Sequence, residues 1–216
     1  MTSARFPVLP ADEEEGPPGL LASGQYWFAC VFVIGWAAVL CGGLYVQFVM
    51  DEHPCPLCVI QRMFMVLAFA GPAHIVRQGL DGTVTRRDYL MGWGLALVGC
   101  VAGSFAAWRQ TMLHILPDDQ GYGREVVGLH LYVWAWLLFQ ASVLAIGVVT
   151  AFAHTTAGRR VPPHGPYRAV GRLALGLAVL VVAVNVVAVF LEEGFHWYLP
   201  DDPIRYEFFY DLRILD

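Results

Sequence analysis

The chain has 216 residues, of which 57% are apolar and only 14% charged, too little charge for a soluble domain of this length. The formal net charge of -5 at pH 7 leaves no basic patch and argues against nucleic acid as a partner. All thirteen basic residues are arginines, so arginine placement is the marker of orientation.

Residues 1–25 open without the positive charge of a cleavable signal peptide. Asp12, Glu13, Glu14 and Glu15 are followed by Gly16-Pro17-Pro18-Gly19, which reads as a disordered acidic tail or, alternatively, a partner-binding one. The first apolar stretch then serves as an uncleaved anchor. Apolar stretches follow at 26–50, 59–75, 89–108, 130–152 and 170–191. Each approaches the roughly 20 residues that a spanning helix needs. The expected fold is therefore an all-α integral membrane protein. Its parts are the tail, a bundle over 26–153, a loop over 154–169, a fifth transmembrane helix over 170–191 and an aromatic and acidic tail over 192–216.

Positively charged loops stay in the cytoplasm. Arg77, Arg86 and Arg87 follow the second stretch, and Arg159, Arg160, Arg168 and Arg172 follow the fourth. Both loops fall on the side of Arg5, whereas the loop between the third and fourth stretches holds Arg124 alone beyond Arg109, which directly follows the third stretch. The N-terminus is thus expected in the cytoplasm and the C-terminus outside, with Asp51-Glu52-His53-Pro54-Cys55-Pro56-Leu57-Cys58 facing outward. Aromatic residues are expected at the two interfaces. Tyr26, Trp27, Tyr89 and Trp93 would mark the inner one; Trp108, Tyr132, Trp134, Trp197 and Tyr198 would mark the outer one.

Cys30, Cys41 and Cys100 lie within apolar stretches and read as small buried hydrophobes. Cys55 and Cys58 differ: they form a Cys-x-x-Cys between prolines where a short loop enters the second helix. The first turn of a helix carries unpaired N–H groups and partial positive charge, which favours a thiolate. Arg62 lies one turn beyond Cys58 on the same face, where a guanidinium supports a thiolate or a reduced, anionic electron acceptor. Arg62 also fits a side chain that snorkels to the interface. The cysteine pair admits two other readings, an inert disulfide and part of a mixed Cys/His zinc site using His53, His114, His130 or His196. His53 and His130 are each able to hydrogen-bond a quinone carbonyl.

Pro54-Cys55-Pro56-Leu57-Cys58-Val59-Ile60-Gln61-Arg62, between two apolar helices, resembles the bacterial disulfide-bond formation protein B (DsbB) family. Trp108-Arg109-Gln110-Thr111-Met112-Leu113, followed by Pro117-Asp118-Asp119-Gln120, is similar to the start of that family's large outer loop. The resemblance covers 26–153 and implies a four-helix bundle in the bacterial cytoplasmic membrane, here with a fifth helix added. It further implies a thiol oxidase that takes electrons from a soluble thioredoxin-like oxidase, or another extracytoplasmic dithiol protein, and passes them to ubiquinone or menaquinone. Cys55 and Cys58 would be the redox pair, with Cys58 facing the quinone and Arg62, Arg109, Gln110 and His130 around it. The sequence departs from the pattern at 111–129, which holds no second cysteine pair. A partner thiolate would then attack the Cys55–Cys58 disulfide directly, or another protein would supply the missing pair. The alternative is a non-catalytic accessory or assembly subunit of a larger membrane complex, possibly metal-binding. Asn185, polar in mid-helix, is expected to hydrogen-bond a neighbouring helix. The tail over 195–216 is expected to fold over the outer face, dock a partner or lie along the interface.

Overall fold

The computed structural model describes residues 20–82, 84–116, 121–152, 165–196, 198–199 and 203–214. The acidic run at 12–15, residues 117–120, Arg159, Arg160 and Trp197 lie outside the described residues. The main helices are α1 (Leu20–Val49), α2 (Pro56–Leu80), α3 (Arg86–Leu113), α4 (Leu131–Ala151) and α5 (Pro166–Glu193), and α6 is a short helix (Glu207–Asp211). Between α3 and α4 a two-residue hairpin pairs β1 (Glu125–Val126) with β2 (Leu129–His130). Five of the helices are long and apolar enough to cross a membrane, and the fold is that of an all-α membrane protein.

Local chemistry sets the helix ends. Cys55 is the N-cap of α2 and Pro56 opens its first turn, where the missing N–H costs nothing. Thr85 and Asp88 form a reciprocal capping box at the start of α3. The hairpin turn uses Val127 and Gly128, both at positive φ, the geometry that matches strand twist in a two-residue connection.

α3 packs between α2 and α4, α1 lies on α2, and α5 covers α1 and α2. Helices in lipid gain little from hydrophobic burial against one another, so close approach matters more. A side chain at Gly71 of α2 would fall on the Gly92 carbonyl of α3, and one at Gly99 would meet the backbone at Ala68. Above this seam, rings join α1 to α3 and α4: Phe32 meets Trp93 at 5.5 Å and Trp36 meets Phe139 at 4.8 Å.

Several side chains lie elsewhere than the sequence suggested. Tyr26, Tyr89 and Trp93 are buried between helices, and the Tyr26 ring fits against Gly79 and Gly171, which leave room for it. Tyr132 is buried as well. Cys30 and Cys100 are buried, but Cys41 is exposed on the surface of α1. Asn185 donates to the Val181 carbonyl of its own helix at 2.8 Å instead of reaching across. The described part of the C-terminal tail folds back over the end of the bundle that carries Cys55. There Phe190, Phe195 and Phe208 form one aromatic cluster, and the Phe195 N–H donates to Asp211 at 2.8 Å.

The Gly71–Gly92 seam gives a first prediction. Gly71→Ala should destabilise the detergent-solubilised protein by about 1–3 kcal/mol, since backbone must move to accept the methyl. Gly94→Ala, with open space around it, should leave the melting temperature nearly unchanged.

Candidate active site

The sulfur pair sits at the first turn of α2. The Cys55 and Cys58 Sγ atoms are 2.8 Å apart as thiols in contact. The Cys58 backbone N–H donates to Cys55 Sγ at 3.3 Å, so the sulfur itself caps the helix. From α3, the buried Gln110 donates through Nε2 to Cys55 Sγ at 3.3 Å and to Cys58 Sγ at 3.6 Å. Gln110 is held in turn by Gln61, whose Nε2 donates to its Oε1 at 2.6 Å. The neighbouring Cys58 thiol, and then burial, push the Cys55 thiol well above the ordinary cysteine range.

Cys58 opens onto a cavity of about 530 Å³ between α1, α2 and α4. The walls are mainly apolar, with Leu40 and Val46 from α1, Met65 from α2 and Leu131, Ala135 and Leu138 from α4. Arg62 supplies its one guanidinium. That side chain does not snorkel: Nη1 donates to Gln47 Oε1 at 2.6 Å and Nη2 to the Gly43 carbonyl at 3.0 Å. A Cβ at Gly43 would sit 3.3 Å from Arg62 Nε, so glycine there leaves room for the charge.

Gln47 passes the interaction on. Its Nε2 donates to Glu192 Oε2 at 3.1 Å, and Glu192 Oε1 meets His53 Nδ1 at 2.5 Å. The Glu192 side chain is fully buried and His53 is nearly so. Over the cavity mouth lies the segment from Gly121 to the hairpin. Tyr122 donates to the His53 carbonyl at 2.7 Å, Arg124 pairs with Glu52 at 2.7 Å, and Trp134 donates to the Val126 carbonyl at 2.8 Å. Tyr206 from the C-terminal tail sets its ring edge-on to His53 at 4.8 Å.

Of the residues singled out in the sequence, Cys55, Cys58, Arg62 and Gln110 come together. Arg109 does not join them: it is exposed, because the next residue along a helix is turned by about 100°. His130 does not line the cavity. Its Nδ1 bonds to the Gly123 carbonyl at 3.1 Å, and its ring stacks on Tyr132, which does line it. Gln47 and Glu192 are site residues that sequence reasoning passed over, and Gln61 is one that it saw in the motif but gave no role. Polar side chains inside apolar spans were the available signal. Among the described residues, no group of three or more His, Cys, Asp or Glu side chains is placed to hold a metal ion.

Residues 25–124 match the family described as Disulfide bond formation protein DsbB. Similar proteins include Disulfide bond formation protein B of Polaromonas naphthalenivorans, 33% identical over 98 residues, covering 44% of this chain and 55% of that protein. That of Hahella chejuensis is 33% identical over 103 residues, covering 48% and 59% respectively. Disulfide bond formation protein B 1 of Pseudomonas aeruginosa is 34% identical over 108 residues, covering 46% and 58%. The chain thus spans a little over half the length of these relatives. No solved structure matches it.

The packing around Arg62 is testable. Gly43→Val should push the guanidinium off the Gly43 carbonyl and cost about 1.5–3 kcal/mol, the worth of a hydrogen bond to a charged group. Gly35→Ala on the exposed face of α1, where nothing lies within 4 Å, is the control for the melting temperature.

Proposed function

From the DsbB-family segment that residues 25–124 form, and from the sulfur pair it carries, we propose that this membrane protein is a thiol oxidase coupled to a membrane quinone. In this reading it makes disulfides in an extracytoplasmic dithiol protein, with the cysteine end of the bundle facing out of a bacterial cytoplasmic membrane. The observation that carries the reading is the position of Cys58. Its sulfur contacts Cys55 on one side and opens on the other into an apolar cavity with a single guanidinium.

The thiol half of the reaction needs only these residues. A partner thiolate attacks the Cys55 sulfur of the oxidised pair, and the S–S bond breaks with Cys58 leaving as the thiolate. The second partner thiol then attacks the mixed disulfide, closing the partner's disulfide and releasing Cys55. Gln110 donates to both sulfurs, and the helix N-terminus and Arg62 favour negative charge on Cys58. Cys55 is buried, so the partner must lift the turn at 51–54. That turn is held down by the Tyr122 hydrogen bond and the Arg124–Glu52 pair, contacts at a surface that are individually weak.

The cavity suits a quinone. It is apolar and lies between α1 and α4, with Cys58 and Arg62 on its wall, and its volume is in the range of small-molecule sites. When bound, a quinone supplies a two-electron oxidant that regenerates the disulfide. Arg62 would then face its oxygens, while Leu40, Ala135 and Leu138 exclude water from the ring.

Cys58→Ser should abolish quinone-dependent oxidation of a dithiol substrate by membranes containing the protein. Cys55→Ser should do the same and leave Cys58 open to alkylation from the cavity. Full activity in either variant, followed by optical quinol formation, would overturn the reading. It would favour the alternative of an accessory subunit, as would recovery of the protein only within a stoichiometric complex.

A further inference from the structure

Glu192 lies in α5, outside the residues that match the family, yet its fully buried carboxylate is inside the site. A carboxylate in hydrocarbon persists only with partners. It has two, Gln47 and His53, and Gln47 ties it to Arg62. The guanidinium and carboxylate offset each other, and the imidazole is the member of the set that can accept a proton at one ring nitrogen and release one from the other. His53 also stands in a dividing wall. It lines the apolar cavity beside Cys58 and the open depression at the mouth formed with Asp51, Gly121 and Pro203. Glu52 and Tyr122 line both spaces too, but Glu52 is paired with Arg124 and the Tyr122 hydroxyl bonds the His53 carbonyl. The charged and titratable groups facing His53 are Glu192 from α5, Tyr206 from the tail, Tyr122 from the mouth segment and Asp51 and Glu52 from its own turn. Arg62 acts on it through Gln47 and Glu192, and Cys58 lies across the cavity.

We propose that His53, held in place by Glu192, relays protons between the cavity beside Cys58 and the depression at the mouth. This deepens, and rests on, the quinone-coupled reading. Oxidation of the dithiol breaks two S–H bonds, forms one S–S bond and gives up two electrons and two protons. Both electrons, and in net both protons, pass to the quinone oxidant. The cavity walls around Cys58 are apolar, so those protons need a titratable carrier. His53 carries one proton at a time between the thiols, the cavity and water at the mouth. Glu192 is a positioning residue: it fixes the imidazole through Nδ1 and balances the imidazolium charge.

Two readouts on the full-length protein in detergent test the relay. The first is the rate at which Cys58 is alkylated by N-ethylmaleimide in reduced, quinone-free protein, followed by mass spectrometry from pH 5.5 to 8.5. An imidazolium facing the cavity favours the thiolate, so His53→Gln should slow alkylation at the acid end by about threefold or more and flatten the profile (a tenfold change corresponds to one pH unit of titration). Glu192→Gln keeps hydrogen-bonding capacity and should flatten it in the same way, while Glu192→Asp should restore it. The second readout is reduction of decylubiquinone by the reduced protein. His53→Ala should slow it at least tenfold, and added imidazole should recover a large part of the rate, which a purely structural role would not allow. Wild-type rate and pH profile in His53→Gln and Glu192→Gln overturn the relay and leave the quinone reading standing. If the wild type does not reduce the quinone, the functional reading falls instead. The alkylation profile then decides alone, and no change in it with His53→Gln overturns the relay.

Discussion

A guanidinium inside a membrane bundle must be surrounded by acceptors, and the placement of Arg62 organises much of what lies around it. Gly43 is small so that its own carbonyl can receive Nη2, and Gln47 on the same helix receives Nη1. Gln47 has a second, donating end, and it requires an acceptor in turn. Glu192 from α5 is that acceptor, and His53 completes the carboxylate. One buried charge thus recruits α1, α2, α5 and the turn before α2 into a single chain of hydrogen bonds. Removing any one link would leave its neighbours with buried, unmet polar groups, which is why such networks are costly to break.

The sulfur pair shows the complementary economy. Cys55 caps α2, so one of the two paired sulfurs also starts the helix. Gln110 from α3 reaches both sulfurs and is itself oriented by Gln61. The two sulfurs therefore belong to a frame defined by α2 and α3, whose backbones meet closely at Gly71, Gly92 and Gly99. Cys58 opens onto the cavity, Cys55 is buried beside it, and the turn at 51–54 contributes Glu52, His53 and Pro54 to the cavity wall.

The sequence made the spans legible because five apolar stretches have a length that nothing but a membrane explains. It also made Cys55, Cys58 and Arg62 legible, since their meaning is local: a helix start and a spacing of one turn. Gln110 was reached through the likeness of 108–113 to a family stretch, and the same likeness brought in Arg109, which the helical turn sends outward. Glu192 and Gln47 were not legible as a pair. They meet across 145 residues, and no periodicity links α1 to α5. Glu192 also falls just past the apolar run of the last span, where an acidic residue looks like the beginning of a tail. The burial of Tyr26 was hidden for a related reason: an aromatic in a span suits an interface or a crevice equally, and its crevice is made by Gly79 and Gly171 on other helices.

The long separation between Gln47 and Glu192 has a consequence for biogenesis. Chains enter the membrane from the N-terminus, at about 5–20 residues per second. The 145 residues between the two partners therefore correspond to roughly seven to thirty seconds of synthesis. During that interval α1 to α3 can assemble with the cysteine pair in place, while the carboxylate that completes the Arg62 and His53 network does not yet exist. The fifth spanning helix is the one that completes the network, so a chain cut short before α5 would present the sulfurs without the charge arrangement around them.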